Sequence, residues 1–139
     1  MAALIPKFDS RRSGVSAIEI ALLLPLIILI LFGVIEYGWM FLKAEQLNAA
    51  ARHGVRVGVV EAATNAEVNA AVDQLMLDAG LAASGYVITL APTDVSLVPA
   101  GDSFTVTVTV PYANITLTNL PILPMPTSLK GSTTMAKEG

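Results

Sequence analysis

The chain has 139 residues, of which 54% are hydrophobic and 14% are charged, and its formal net charge is −3. An ordinary soluble domain carries about 25% charged residues, so this composition is not that of a typical cytosolic protein. The chain has no Cys, which excludes disulfides, thiolate metal sites and cysteine nucleophiles, and its one His leaves little for a metal cluster.

The amino terminus is basic and precedes a long apolar segment. Residues 1–14 carry three basic side chains against one acidic side chain, and 16 uncharged residues lie between Glu19 and Glu36. Extended to Leu42, the run is long enough to cross about 30 Å of hydrocarbon as a helix. Basic residues before a span favour a cytoplasmic amino terminus, with the rest of the chain outside. We therefore predict a basic cytoplasmic leader over 1–14 and a transmembrane helix over 15–42.

A cleaved secretory signal is the competing interpretation of this segment. Such a signal has an apolar region of about 7–15 residues that ends in a small-x-small cleavage site. The run here offers no such site and ends in aromatic residues that suit an interfacial belt at the outer boundary of a membrane, namely Tyr37, Trp39 and Phe41. A membrane anchor is the better interpretation.

Two carboxylates and a proline mark the predicted span. Glu19 lies near its cytoplasmic start, where a carboxylate costs about a few kcal/mol unless it reaches the headgroups or pairs with a cation. Glu36 follows 17 residues later, which is about 26 Å along a helix, and needs only the outer interface. Pro25 lacks a backbone N–H, which predicts a local kink.

The helical pattern continues beyond the span. From Val15 to about Val60 no strong helix breaker occurs except Pro25, and Gly54 and Gly58 are spaced four apart near the end of this stretch. Small residues at that spacing permit a close approach of another element. Packing against the globular part of the same chain is the preferred interpretation, and a contact between subunits is the alternative.

A second helix is predicted by its own start and stop signals. The segment Thr64–Glu67 is typical of a capping box, and apolar residues then recur at helical spacing as far as Ala79. Gly80 suits the end of a helix. These signals predict a helix over about 65–79, so that residues 43–84 form a helical extension and a second helix.

Residues 85–139 are rich in Ser, Thr and Asn, and alternating apolar residues indicate strands. Alternation over Ser103–Val110 predicts a half-buried strand, which we expect to pair with Asp94–Val98 in a hairpin. Other candidate strands are Tyr86–Leu90, Asn114–Leu117 and Ser128–Ala136. The predicted fold class is α+β: a long N-terminal transmembrane helix, a second amphipathic helix, and a small antiparallel β-sheet in an extracytoplasmic β-rich part, 85–139.

The sequence contains no constellation typical of catalysis. His53 lies beside Arg52 and Arg56 in a helix, with no nucleophile paired with it. Gly54 and Gly58 lack the strand–turn–helix context of a phosphate-binding loop. The net charge of −3, with scattered Lys and Arg, argues against nucleic acid as a partner. We predict no catalytic activity, no cofactor and no metal site.

Residues 11–38 resemble a known family. The stretch RRSGVSAIEIAL is similar to the leader junction of type IV pilins, and the longer run to Gly38 resembles the TadE-like minor pilins, or pseudopilins, of bacterial tight-adherence (Flp) pilus systems. Residues 48–56 are similar to the family's Ala-Ala-Arg-x-Gly-x-Arg stretch, and residues 131–138 resemble its closing strand. Ile20 departs from the aromatic residue of many members. The matching single residues are Gly14, Glu19, Pro25, Gly33, Glu36 and Gly38.

The resemblance implies processing and an intersubunit contact. In this family the chain is cut after the Gly, and a Glu stands five residues after the cut, so prepilin peptidase is expected to cut between Gly14 and Val15. The Glu19 carboxylate is then expected to pair with the new α-amine of Val15 on a neighbouring subunit. A charge pair in a low dielectric offsets a burial that a lone carboxylate would not tolerate.

The same resemblance implies a structural and assembly role. A minor pilin of this class is inserted in the bacterial inner membrane, with its amino terminus cytoplasmic and its C-terminal domain periplasmic or extracellular. It takes part in biogenesis of a tight-adherence pilus for surface attachment and can enter the pilus. Expected partners are the inner membrane, prepilin peptidase, other pilin or pseudopilin subunits and the pilus assembly machinery. The alternative is an unprocessed single-pass membrane protein whose exterior domain binds secretion or assembly machinery.

Overall fold

The computed structural model describes residues 10–118 and 124–139, with side chains from residue 16 onward. The chain forms two compact units, Met1–Ile35 and Glu36–Gly139. Helix α1, Ser10–Gly58, contributes residues to each unit. Of the predicted leader, residues 1–9 lie outside the described residues, and residues 10–14 are helical.

In the first unit, α1 exposes its apolar side chains. Each Leu, Ile, Val and Phe side chain from Ile18 to Ile35 has more than a third of its surface accessible, and Leu22 reaches 74%. Within the part of the chain that the structure describes, α1 is the one helix long and apolar enough to cross a membrane. Pro25 lies inside α1 and does not end it; the predicted kink at this position stays a prediction.

The second unit contains a helix and a three-stranded sheet. Helix α2 is Asn65–Asp78, and the strands are β1, Val87–Ala91, β2, Ser103–Pro111, and β3, Ser128–Ala136. The sheet is antiparallel with the order β1-β2-β3. Two single 3-10 turns lie between strands, at Val95–Leu97 and Tyr112–Asn114. The predicted α+β fold class is confirmed.

Helix α2 begins and ends as its local signals predict. The Thr64 hydroxyl accepts a bond from the Glu67 amide, and the Glu67 carboxylate accepts one from the Thr64 amide at 2.8 Å. At the other end Gly80 takes a positive φ of 68°, and the Leu81 amide donates to the Met76 carbonyl at 2.8 Å. This left-handed turn satisfies carbonyls that a helix end leaves open. The predicted capping box and the stop at Gly80 are confirmed.

Strand β2 separates an apolar face from a hydroxyl-bearing face. Its alternate residues Phe104, Val106, Val108 and Val110 are fully buried. The threonines between them lie on the other face, where the Thr105 and Thr134 hydroxyls are 2.7 Å apart and those of Thr107 and Ser132 are 2.9 Å apart. The half-buried pattern predicted for β2 is therefore confirmed, and cross-strand hydroxyl pairs tie β2 to β3.

Two predicted strands are wrong. The segment Asp94–Val98 is a capped 3-10 turn, in which the Asp94 carboxylate accepts from the Ser96 amide at 3.0 Å. A short acidic side chain offers its own backbone this local bond and so competes with strand pairing. The partner of β2 is β1, one residue later than the predicted Tyr86–Leu90. The segment Asn114–Leu117 is also not a strand, because its groups bond to α1 instead. Strand β3 has the predicted bounds.

Gly54 and Gly58 allow α1 to pack closely inside the second unit. A Cβ at Gly54 would lie 2.5 Å from Cγ2 of Val72, and a Cβ at Gly58 would overlap the ring of Phe104. Both neighbours belong to the same unit, which confirms packing within the chain as the preferred interpretation. Other fully buried residues of this core are Leu47, Ala50, Ala51, Val55, Val68, Met76 and Val95.

The carboxyl end of α1 is bonded by Lys137, the residue that directly follows β3. The Lys137 ammonium, 8% exposed, donates to the Gly58 carbonyl at 3.0 Å and to the Val95 carbonyl at 3.3 Å. A cation at the carboxyl end of a helix satisfies open carbonyls and opposes the helix dipole. This contact fixes α1 against β3 at the far end of the unit from Glu36.

Candidate functional site

A buried carboxylate on α1 accepts five hydrogen bonds. Glu36 is 1% exposed. Its Oε1 accepts from the Tyr112 hydroxyl at 2.5 Å, the Thr116 hydroxyl at 2.6 Å and the Leu117 amide at 3.2 Å. Its Oε2 accepts from the Thr118 amide at 2.9 Å and the Thr118 hydroxyl at 2.7 Å. We call this cluster, Glu36 with residues 112, 116, 117 and 118, the Glu36 anchor.

The donors of the Glu36 anchor come from one short segment after β2. Pro111 ends β2 and precedes the 3-10 turn Tyr112–Asn114. The amides of Ile115 and Thr116 both donate to the Tyr112 carbonyl at 3.0 Å, which closes the turn. The chain then offers hydroxyls and backbone amides in succession, and a carboxylate, which has only acceptor sites, satisfies them together.

Tyr112 is the buried hydroxyl donor of the anchor. It is 3% exposed. Burial, followed by the hydrogen bond to Glu36, raises the pKa of Tyr112 to about 12. A raised pKa means that the folded state holds this proton more tightly than the unfolded chain, whose tyrosine pKa is about 10. The hydroxyl is therefore a fixed donor over the whole physiological pH range.

The raised pKa of Tyr112 predicts a loss of stability in alkali. The stabilisation linked to this proton is complete below about pH 10 and is lost as the pH rises towards 12. We expect the tyrosinate absorbance of the folded chain to keep a step near pH 12 that Tyr112→Phe removes. The hydrogen bond to Asp73 also raises the pKa of Tyr86 to about 12. The comparison is therefore made between the Tyr86→Phe chain and the chain that carries both Tyr86→Phe and Tyr112→Phe. A titration complete near pH 10 in the Tyr86→Phe chain would contradict the prediction.

Two aromatic residues close to Glu36 in α1 donate hydrogen bonds to carbonyls of the segment between β2 and β3. The Tyr37 hydroxyl donates to the Pro124 carbonyl at 3.1 Å, and the Trp39 indole N–H donates to the Ile115 carbonyl at 2.7 Å. Phe41, in contrast, is 65% exposed. Two of the three aromatics predicted as an interfacial belt therefore bond to loops of the chain itself, and the belt stays a prediction.

The acceptor sites of the Glu36 carboxylate are filled by hydrogen bonds from the same chain. Two carboxylate oxygens offer about four lone-pair sites, and five donors occupy them. In residues 10–118 and 124–139, no group of three His, Cys, Asp or Glu residues is placed to hold a metal ion.

The other predicted site residues are not among the hydrogen-bond partners of Glu36. Gly14 and Val15 are within α1, although their side chains lie outside the described ones, and Glu19 is exposed. Gly33 is buried in α1, whereas a Cβ at Gly38 would meet nothing within 4 Å. The structure therefore brings Glu36 together with donors from residues 112–118.

The sequence predicts a position for Glu36 at the outer membrane interface but does not predict its hydrogen-bond partners. They lie 76 to 82 residues away in the chain, so no local pattern connects them. The available signal was a carboxylate in an apolar run together with a tight set of hydroxyl residues, Tyr112, Thr116 and Thr118, elsewhere in the sequence.

A long apolar helix followed by a small α+β unit is the architecture of a single-pass membrane protein. Residues 14–56 match the family model described as TadE-like protein. The resemblance to the TadE-like family is thereby confirmed over the segment that holds Glu19 and Glu36. No curated protein and no solved structure matches the chain. The family match and the apolar helix together indicate a membrane protein associated with tight-adherence pili.

Proposed function

We propose that the chain is a structural subunit, a TadE-like minor pilin without catalytic activity, that takes part in biogenesis of a tight-adherence pilus for surface attachment. It is inserted in the bacterial inner membrane with its amino terminus in the cytoplasm. Prepilin peptidase cuts it after Gly14, and it then associates with other pilin or pseudopilin subunits and the assembly machinery.

The observation that carries the proposal is the family match over 14–56, on a helix that exposes both its apolar side chains and Glu19. A carboxylate among lipid-facing residues is costly unless it is paired. The α-amine released at Val15 supplies a cation four residues away in sequence, and a neighbouring subunit can present it to Glu19. Pairing between subunits turns the cost into a preference for one axial register.

The Glu36 anchor supports this role from within the second unit. A subunit that is pulled from a membrane into a fibre needs its domain to stay attached to the helix that is pulled. Five hydrogen bonds on one residue of α1 fasten residues 112–118 to that helix. The Trp39 bond to Ile115 adds a second attachment one turn further on.

Processing is tested by the intact mass and the amino-terminal sequence of the mature chain. Coexpressed with a prepilin peptidase, the wild type is expected to begin at Val15, and Gly14→Leu is expected to keep Met1, because a bulky residue blocks the junction. Ala49→Leu, which places the same side chain at an exposed position of α1, is the matched control and is expected to be cut. The two variants are also expressed in cells from which the wild-type chain has been deleted. Gly14→Leu is expected not to restore surface pili, and Ala49→Leu is expected to restore them.

An uncut wild-type chain, or equal cutting of wild type and Gly14→Leu, would overturn the processing step. Normal pili without this chain would overturn the role in pilus biogenesis.

One observation favours the unprocessed membrane protein as a second candidate. Helix α1 begins at Ser10 and runs through the Gly14–Val15 bond, and a helical backbone is less open to a peptidase than an extended one. In that case Met1 is retained, the chain stays in the bilayer, and the second unit binds secretion or assembly machinery. The mass measurement separates the two candidates.

A further inference from the structure

A cavity in the second unit contains a buried cation and a buried hydroxyl without a partner. Its volume is about 500 Å³, and it lies between α1, the end of α2 and the segment after β2. Its polar lining includes Lys43, Ser84, Asn114 and Thr116, and Trp39 forms part of its wall. This volume is within the usual range for small-molecule sites. We call it the Lys43 cavity.

The charge of Lys43 has no counter-ion among the described residues. The side chain is 7% exposed. Its ammonium donates to the Gln46 side-chain oxygen at 3.0 Å and to the Ala79 carbonyl at 3.3 Å, and it lies 4.6 Å from the centre of the Trp39 ring. These neighbours are neutral. Buried charges in proteins are ordinarily paired or coordinated, so the site favours an anion.

Ser84 provides a second and independent indication. It is 5% exposed, and within the described part of the chain its Oγ is the buried side-chain atom that has no hydrogen-bond partner. Each such atom in a folded protein calls for a partner such as an ion or a water molecule. The Asn114 amide donates to the Ser84 carbonyl at 2.9 Å, which leaves its second N–H for another acceptor.

We propose that the Lys43 cavity binds a phosphate group. An ammonium, a hydroxyl and an amide N–H are donors of the kind that the oxygens of a tetrahedral anion accept, and all three line one cavity. Lys43 directly follows the segment predicted to span the membrane, 15–42, which makes a lipid headgroup one candidate source of the anion. The phosphate therefore comes from an anionic phospholipid or from free phosphate. The site goes beyond the role in pilus biogenesis and does not depend on it.

The fluorescence of Trp39 reports binding directly, because it is the one tryptophan of the chain and forms part of the cavity wall. The full chain in a non-ionic detergent is titrated with sodium phosphate, with sodium chloride at equal ionic strength as the reference. We expect a saturable change in emission. Lys43→Met is expected to weaken binding by about tenfold or more, and Ser84→Ala by about fivefold.

The matched control is Lys130→Met, which removes the same charge from an exposed position of β3 and is expected to bind phosphate as the wild type does. Ser84→Ala guards against a folding artefact, since removing an unpartnered hydroxyl is expected to leave the melting temperature unchanged or raised. Equal phosphate affinities for wild type and Ser84→Ala, or no response beyond the chloride reference, would overturn the site.

Nanodiscs identify the source of the phosphate. If an anionic headgroup occupies the cavity, phosphatidylglycerol nanodiscs are expected to suppress the response to added phosphate, and phosphatidylcholine nanodiscs are expected to leave it intact. An equal response in both lipids assigns the cavity to free phosphate. A response that Lys43→Met retains in either lipid contradicts the proposal.

Discussion

Glu36→Ala is expected to lower the free energy of unfolding of the second unit by about 3–5 kcal/mol. The change removes the carboxylate to which the buried Tyr112 hydroxyl donates, and it frees the backbone amides of Leu117 and Thr118. An unsatisfied buried donor costs about 1–3 kcal/mol, although Thr116 and Thr118 recover part of the loss from water. A domain of this size is stable by about 5–15 kcal/mol, so the loss is a large fraction of the total.

Glu36→Gln separates the shape of the side chain from its two acceptors. The amide keeps one oxygen, which is expected to serve Tyr112, Thr116 and Leu117, but its NH₂ group faces the Thr118 amide, where both groups are donors. We expect an intermediate loss of about 1–3 kcal/mol. Denaturant unfolding of the full chain in detergent, followed by Trp39 fluorescence, measures both variants.

Amide hydrogen exchange locates the effect. Exchange at Leu117 and Thr118 is expected to rise sharply in Glu36→Ala, while the amides of β2 change only with global stability. Glu45→Ala, an exposed acidic residue of the same helix, is the control and is expected to change stability by about 0.5 kcal/mol or less. Equal stability of Glu36→Ala and Glu45→Ala would contradict the anchor.

The elements that the sequence predicts well are those with local and periodic signals. A capping box and a left-handed glycine bound α2, because each satisfies backbone groups within a few residues. Alternation defines β2, because one of its faces is buried along its length. The pairing of β2 with β1 depends on contacts between segments distant in sequence. The segment predicted to pair with β2 forms a 3-10 turn instead, because the Asp94 side chain bonds locally to the Ser96 amide.

The site was less predictable because its parts are distant in sequence. The apolar pattern resumes after Glu36 and continues to Leu42, so composition places Glu36 with the membrane segment. The compact second unit nevertheless begins at Glu36, since donors from residues 112–118 make its burial tolerable. The Lys43 cavity depends in the same way on three segments that meet only in the folded chain.

Gly131→Ala is expected to destabilise the second unit by about 3 kcal/mol, the upper part of the range for overpacking. A Cβ at this position of β3 would lie 2.5 Å from the Leu47 carbonyl oxygen and 2.6 Å from the Asn48 amide nitrogen. These are backbone atoms of α1, which cannot turn aside as a side chain can. The sheet would have to move away from the helix, and the contacts that bury Phe104 and Val106 would loosen with it.

A graded series tests this account of the glycines. At Gly54 the clashing atom is a methyl group of Val72, so Ala there is expected to cost less than at Gly131. At Gly38 nothing lies within 4 Å, and Ala is expected to be neutral or to gain about 1 kcal/mol from helix propensity. Thermal unfolding of the full chain is followed by Trp39 fluorescence. We expect the melting temperature to be highest for Gly38→Ala, lower for Gly54→Ala and lowest for Gly131→Ala. If Gly131→Ala melts with the wild type, β3 does not approach α1 as closely as Leu47 and Asn48 require.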